Sequence, residues 1–114
     1  MTPKLSILIV ARNEEARLPD CLASAAFADE IVVVLDRTTD ASAAIARAAG
    51  TLVLEGAWEL EGDRRNAGIA ACSGDWILEL DADERVDGAL ATEIRRVIGT
   101  SSFAWHQVPV DNYV

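Results

Sequence analysis

The stretch DWILELDADERV, residues 75–86, sets an apolar run against a crowd of acids. Trp76, Ile77 and Leu78 begin as a buried strand would, yet Glu79, Asp81, Asp83 and Glu84 follow within a few positions. Carboxylates this close repel one another and are costly to bury unpaired. Something positive must sit among them, either arginines of the chain or a bound cation. Which of the two it is depends on what other segments bring to the same place.

Working outward, residues 5–10, 31–35 and 51–54 are further apolar runs rich in β-branched side chains, and with 76–80 they predict four buried strands. Segments of helical period lie between them. Leu18, Leu22, Ala25 and Ala26 recur on one face and predict a helix over 14–26, in which Pro19 is acceptable only near the start. Asp40 is placed to cap a helix over 41–49 that Gly50 terminates, and Asp63 to cap one over 64–71. Asp87 caps a fourth helix carrying Leu90, Ile94, Val97 and Ile98, with Gly99 at its end, and 103–110 alternates as a fifth strand would. Strand and helix in alternation, with unbroken apolar strands, predict an α/β fold: a Rossmann-like three-layer αβα sandwich with a mainly parallel sheet. The 114 residues suffice for one domain and are too few for two.

Composition narrows the function classes. The formal net charge of −9 supplies no basic stripe to displace counterions from phosphates, which argues against nucleic acid as a partner. Nine of the ten basic residues are arginine, the side chain suited to bidentate pairing with phosphate or carboxylate. Cys21 and Cys72 have no metal-ligand spacing and read as reduced thiols of a cytoplasmic protein. The apolar runs are far shorter than the roughly 20 residues a membrane helix needs. The opening MTPKLSILIVAR lacks a small-residue cleavage site and reads as a first strand, not a leader.

Parallel sheets bind ligands beyond the carboxyl ends of their strands. There the chain places Ala11, Arg12, Asn13 and Glu14 after the first strand, Asp36 and Arg37 after the second, and Asp81, Ala82, Asp83, Glu84 and Arg85 after the fourth. Arg64 and Arg65 open the intervening helix, so five of the ten basic residues fall on one edge. Asp81 and Asp83 suit a hard divalent cation, or else cap the next helix or pair with Arg85. Asp36 suits a ribose or base, or a salt bridge to Arg37. The two helix-opening arginines suit a phosphate, or else are a solvated surface pair. His106 and Trp105 read as structural, and Trp58 as packing in a loop from which it could cover a ligand.

The segments KLSILIVARNEEARLPDCLASA, EIVVVLDRTTDAS and GDRRNAGIAACSGDWILELDADE resemble, in order and spacing, the start of family-2 glycosyltransferases of the GT-A fold. The most specific part is RNAGIAACSGDWILELDADE, in which Gly74 and Asp75 precede the strand and Asp81-Ala82-Asp83 end it. The resemblance implies a nucleoside-diphosphate sugar as donor, a uridine-diphosphate sugar by preference, bound by Ala11, Arg12, Glu14, Asp36, Arg37, Arg64, Arg65, Asp81 and Ala82. It implies a divalent cation, Mg2+ or Mn2+, on Asp81 and Asp83, and inverting transfer to a glycan or glycolipid acceptor. The later stretch looks most like the bacterial branch that decorates lipopolysaccharide cores and other envelope glycans, which implies a cytoplasmic protein at the inner face of the cytoplasmic membrane. Two motifs depart from the family. Val10-Ala11-Arg12-Asn13-Glu14 stands for the usual P-x-Y-N-E, and Asp36-Arg37-Thr38-Thr39-Asp40 keeps one acid of D-D-G-S-T-D. Because family members continue into an acceptor-binding half that carries the catalytic base, the expectation is a single domain over 1–114 truncated before that half, its base beyond Val114. Two alternatives stand: a non-catalytic nucleotide-binding module, and a haloacid-dehalogenase-type phosphotransferase, which places its D-x-D after the first strand.

Overall fold

The computed structural model describes residues 3–100 and 111–112. Strand β1 (Leu5–Ala11) lies between β2 (Glu30–Asp36) and β4 (Trp76–Asp81), and β3 (Leu52–Gly56) extends the sheet beyond β2. All three pairings are parallel, with Ile7 opposite both Ile31 and Leu78. Parallel neighbours require crossovers, and helices α1 (Leu18–Ser24), α2 (Ser42–Ala48) and α3 (Glu61–Ala71) supply them. Helix α4 (Gly88–Thr100) follows a two-residue strand β5 (Glu84–Arg85), which pairs antiparallel with β6 (Asp111–Asn112).

Burial on both faces explains the unbroken apolar runs of β1 and β2; β3 and β4, at the two edges of the sheet, are not the buried strands their runs predict, with Leu52 and Ile77 exposed. Alternate residues Ile7, Ile9, Val33 and Leu35 pack with Leu18, Cys21 and Leu22 of α1, Ala46 of α2, and Ile94 and Ile98 of α4. The opposite residues Leu8, Val32 and Val34 pack with Ala71, Cys72 and Trp58. Helix α3 comes close because Gly68 has no side chain: a Cβ there would lie 2.5 Å from Leu8 Cδ1. The three-layer αβα arrangement with a parallel sheet is thus the one read from the strand and helix pattern.

The register of β4 is locked at its start. Gly74 N–H donates to Ser6 Oγ (2.8 Å), Ser6 Oγ donates to Glu30 Oε2 (2.5 Å), and the N–H groups of Asp75 and Trp76 donate to Lys4 O. A Cβ on Gly74 would stand 2.7 Å from Ser6 N and 2.9 Å from Lys4 O, so glycine is required for this approach. The consequence at the other end is that Val10 pairs with Asp81 and the acids begin where β1 ends.

Element boundaries differ from the periodicity in instructive places. Helix α1 starts at Leu18, four residues later than the spacing implies; residues 15–17 form a turn, and the N–H groups of Glu14 and Glu15 bond Ser42 Oγ and Asp40 Oδ2. Pro19 then sits in the first turn, where its missing N–H costs nothing. Helix α3 starts at Glu61, so Asp63 lies in its first turn and caps nothing, and Arg64 and Arg65 lie one turn in. Ala41 takes the N-cap position of α2, though Asp40 Oδ1 still accepts Ser42 N–H (2.9 Å). Gly50 follows α2 at φ 78°, the left-handed stop expected of it. Helix α4 runs through Gly99 to Thr100, with Asp87 Oδ1 accepting Leu90 N–H (2.7 Å) as a cap does. The expected strand over 103–110, with Trp105 and His106, lies outside the described residues.

Candidate functional site

The loops after β1 and β2 are fastened into one ledge. Asn13 adopts φ 52°, a left-handed conformation that asparagine tolerates, and its Oδ1 accepts the N–H groups of Thr39 (2.8 Å) and Asp40 (3.2 Å). Glu15 returns the contact, its Oε2 accepting Ala41 N–H at 3.1 Å. Sequence reasoning missed Asn13, Asp40 and Ser42 as the fasteners. The available signal was an asparagine in a short loop facing a Thr-Thr-Asp loop, but pairing loops 25 residues apart needs the fold. On this ledge Ala11 is buried at the end of β1, Arg12 is exposed, and Glu14 is half-buried with Arg17 Nη1 3.8 Å away.

Asp36, at the end of β2, is buried at 1% exposure. Its Oδ1 accepts Arg37 Nε–H (3.1 Å) and Trp58 N–H (3.1 Å), and its Oδ2 accepts Arg37 Nη2 (3.3 Å) and Arg64 Nη1 (3.2 Å). These donors, Arg37 above all, hold the carboxyl down at about 2 against the opposing effect of burial. Asp36 is therefore a permanent anion, and the ion pair with Arg37 considered from sequence is present.

Across β1, the carboxylates of Asp81, Asp83 and Glu84 converge, with ligand oxygens all within 4.8 Å of one another. Glu84 joins because the chain turns back after Asp83, and its Oε1 accepts Asp81 N–H at 2.7 Å. Ala82, between the aspartates, is buried against the core at 3% exposure. Burial, and then the charge of Asp83, raises the Asp81 carboxyl, and burial raises that of Glu84. Beneath them Cys21 Sγ faces Asp81 O at 3.6 Å, its thiol pushed up to about 12 by burial and the three acids. That thiol stays protonated and serves neither as nucleophile nor as thiolate ligand.

The arginines beside the cluster pair with other acids, while the charges of Arg64 and Arg65 also act on Asp81. Arg64 bridges Asp36 and Glu61 Oε1 (3.2 Å), Arg65 pairs with Glu79 Oε2 (3.5 Å), and Arg85 reaches Asp20 Oδ2 (3.5 Å). Three carboxylate oxygens placed this way could hold a hard divalent ion. Beside the cluster a pocket of about 70 Å³ has Asp81, Arg64 and Arg65 on its wall. A larger open groove of about 860 Å³ lies at the opposite edge, between α1 and α2, and is lined mainly by alanine and aliphatic residues. Its acids Asp29 and Glu30 are engaged by the N–H groups of Leu5 and Ser73. Among the described residues no helix is long and apolar enough to cross a membrane.

The family model described as glycosyl transferase family 2 matches residues 6–107. An uncharacterized glycosyltransferase of Rickettsia bellii is 32% identical over 103 residues, covering 90% of this chain and 35% of the relative. The lipopolysaccharide core biosynthesis glycosyltransferase LpsC of Rhizobium meliloti is 33% identical over 108 residues, covering 89% of this chain and 40% of the relative. The chain thus spans about a third of the length of the curated relatives it matches. Among solved structures, glucosyl-3-phosphoglycerate synthase of Mycobacterium tuberculosis, in complex with Mn2+, uridine diphosphate and glucosyl-3-phosphoglycerate, superposes with a TM-score of 0.73 at 23% identity. That likeness covers 88% of this chain and 41% of the other, and it establishes the GT-A fold.

Proposed function

Since the chain belongs to glycosyl transferase family 2, we propose that the carboxyl edge of its sheet binds a nucleoside-diphosphate sugar together with a divalent cation, Mg2+ or Mn2+. The observation that carries this is the convergence of Asp81, Asp83 and Glu84 at the end of β4, beside a pocket walled by Arg64 and Arg65. Asp81 and Asp83 would hold the ion, with Glu84 fixing the turn between them by its bond to Asp81 N–H. Bound there, such an ion neutralises the charge that develops on a leaving diphosphate. Arg64 and Arg65 add positive charge on the same side, while Ala11, Arg12, Glu14, Asp36 and Arg37 form the ledge on which the nucleoside lies.

A uridine-diphosphate sugar is the favoured donor, supported by the uridine diphosphate and Mn2+ named for the M. tuberculosis enzyme. The acceptor would be a glycan or glycolipid of the bacterial envelope, supported by the likeness to the R. meliloti lipopolysaccharide core biosynthesis glycosyltransferase. Such a reaction, with inversion at the sugar, would run in the cytoplasm at the inner face of the membrane. Calorimetric titration of uridine diphosphate with and without Mn2+ tests the core of the reading. Binding should require the metal in the wild type and be lost in Asp83→Ala with the fold intact. Equal metal-dependent affinity in that variant would sink the assignment.

A further inference from the structure

Resting on the reading above that the nucleoside lies against Asp36, we propose that Arg37 is a built-in competitor of the nucleoside for that carboxylate. A carboxylate offers about four acceptor positions, and Asp36 receives four N–H donors from Arg37, Trp58 and Arg64. A base can therefore donate to Asp36 only after one of these donors leaves. Trp58 donates from the backbone and is tied to the chain's path. Arg64 is held from two sides, by Asp36 and Glu61, and its Nε is buried without a partner, so its movement is constrained by packing.

Arg37 differs in its exposure, 45% against 22% for Arg64. Beyond Asp36 it holds only Trp58 O at 2.9 Å. Its backbone sits at φ 50°, a left-handed conformation unfavourable for arginine that aims the side chain back over its own neighbour. Withdrawing this guanidinium frees one position on each Asp36 oxygen; the half-exposed arginine regains water, while the buried carboxylate keeps Trp58 N–H and Arg64. What then fits is a planar base with a ring N–H, because an ionised carboxylate only accepts. Uracil offers that N–H at N3. Arg37 thus sets how tightly the ledge takes a nucleoside, as a side chain that must be displaced.

The test is calorimetric titration of the 114-residue chain and its Arg37→Ala variant with uridine and 3-methyluridine, and with uridine diphosphate plus Mn2+. Uridine is neutral, so the lost positive charge does not itself weaken binding. The variant should bind uridine about two- to fivefold more tightly, with no gain for 3-methyluridine, whose ring N–H is blocked. Unchanged or weaker uridine affinity in the variant overturns the inference, as does an equal gain for the methylated base. If the wild type binds uridine diphosphate with Mn2+ and that gain is missing, the inference alone fails. If neither protein binds uridine or the diphosphate, the proposed function fails and the inference with it.

Discussion

Asp81 and Glu84 both carry raised pKa values, chiefly from burial and with Asp83 adding to each, so the cluster is under tension whenever no cation shares it. Removing one charge should relieve that tension. Asp83→Asn is expected to raise the metal-free Tm by about 1–3 °C, a few tenths of a kcal/mol in a chain of this size, and to abolish the further rise on adding Mn2+. Thermal unfolding followed by circular dichroism with and without Mn2+ checks both signs, and a lower metal-free Tm would contradict the repulsion. Asp36 behaves oppositely. Its carboxyl stands at about 2 in the fold against 3.8 unperturbed, so the stability it contributes is complete above the unfolded value and is lost as pH falls through about 4 to 2. Asp81 and Glu84 work the other way, since protonating them at acid pH removes a burial cost. Urea unfolding from pH 7 to 2 should therefore show an acid limb that flattens in Asp36→Asn; an identical limb would place the loss in other groups.

Among the elements, glycines separate structural necessity from tolerance. Gly74 lies where a Cβ would strike backbone atoms of Ser6 and Lys4, and backbone cannot swing aside. Gly74→Ala should cost about 1–3 kcal/mol, the usual penalty of overpacking, and shift β4 relative to β1. Gly62, in the first turn of α3, has nothing within 4 Å of its Cβ position. Gly62→Ala should stabilise by up to about 0.5–1 kcal/mol, because alanine loses less conformational freedom in a helix. Urea denaturation of the two variants reports the contrast, and similar ΔΔG values would refute it. The sequence motif Gly74-Asp75 thus acts at the far end of β4 from the acids, as the clamp that decides which residue arrives opposite Val10.

For the whole molecule, the carboxylates around the site are already engaged. Asp36 is held by Arg37 and Arg64, Glu61 by Arg64 and Glu79 by Arg65, while Glu84 accepts Asp81 N–H and Asp81 and Asp83 would hold the proposed cation. A carboxylate tied to a cation or guanidinium is a poor proton acceptor for an acceptor hydroxyl. We therefore expect the 114-residue chain to bind donor without turnover when donor, Mn2+ and simple acceptors are supplied together. Release of nucleoside diphosphate that disappears in Asp111→Asn would overturn this and identify a base within the chain.

The order of β1 to β4 with their helices, the burial of β1 and β2 on both faces and the edge on which charged residues gather were legible in the sequence; the short pair of β5 and β6 was not. Each rests on periodicity or on local chemistry, and the apolar strands at 5–10, 31–35 and 76–80 lie within β1, β2 and β4. Tertiary structure alone decided the partners of the charges. Arg64 lies 28 residues from Asp36 in the chain, and Asn13 lies 26 from Thr39, so neither pairing leaves a periodic trace. The loop before α1 is likewise held by partners distant in sequence, its Glu14 and Glu15 N–H groups bonding Ser42 Oγ and Asp40 Oδ2. Which anion each guanidinium meets likewise turns on a distance in space, which spacing along the chain does not contain.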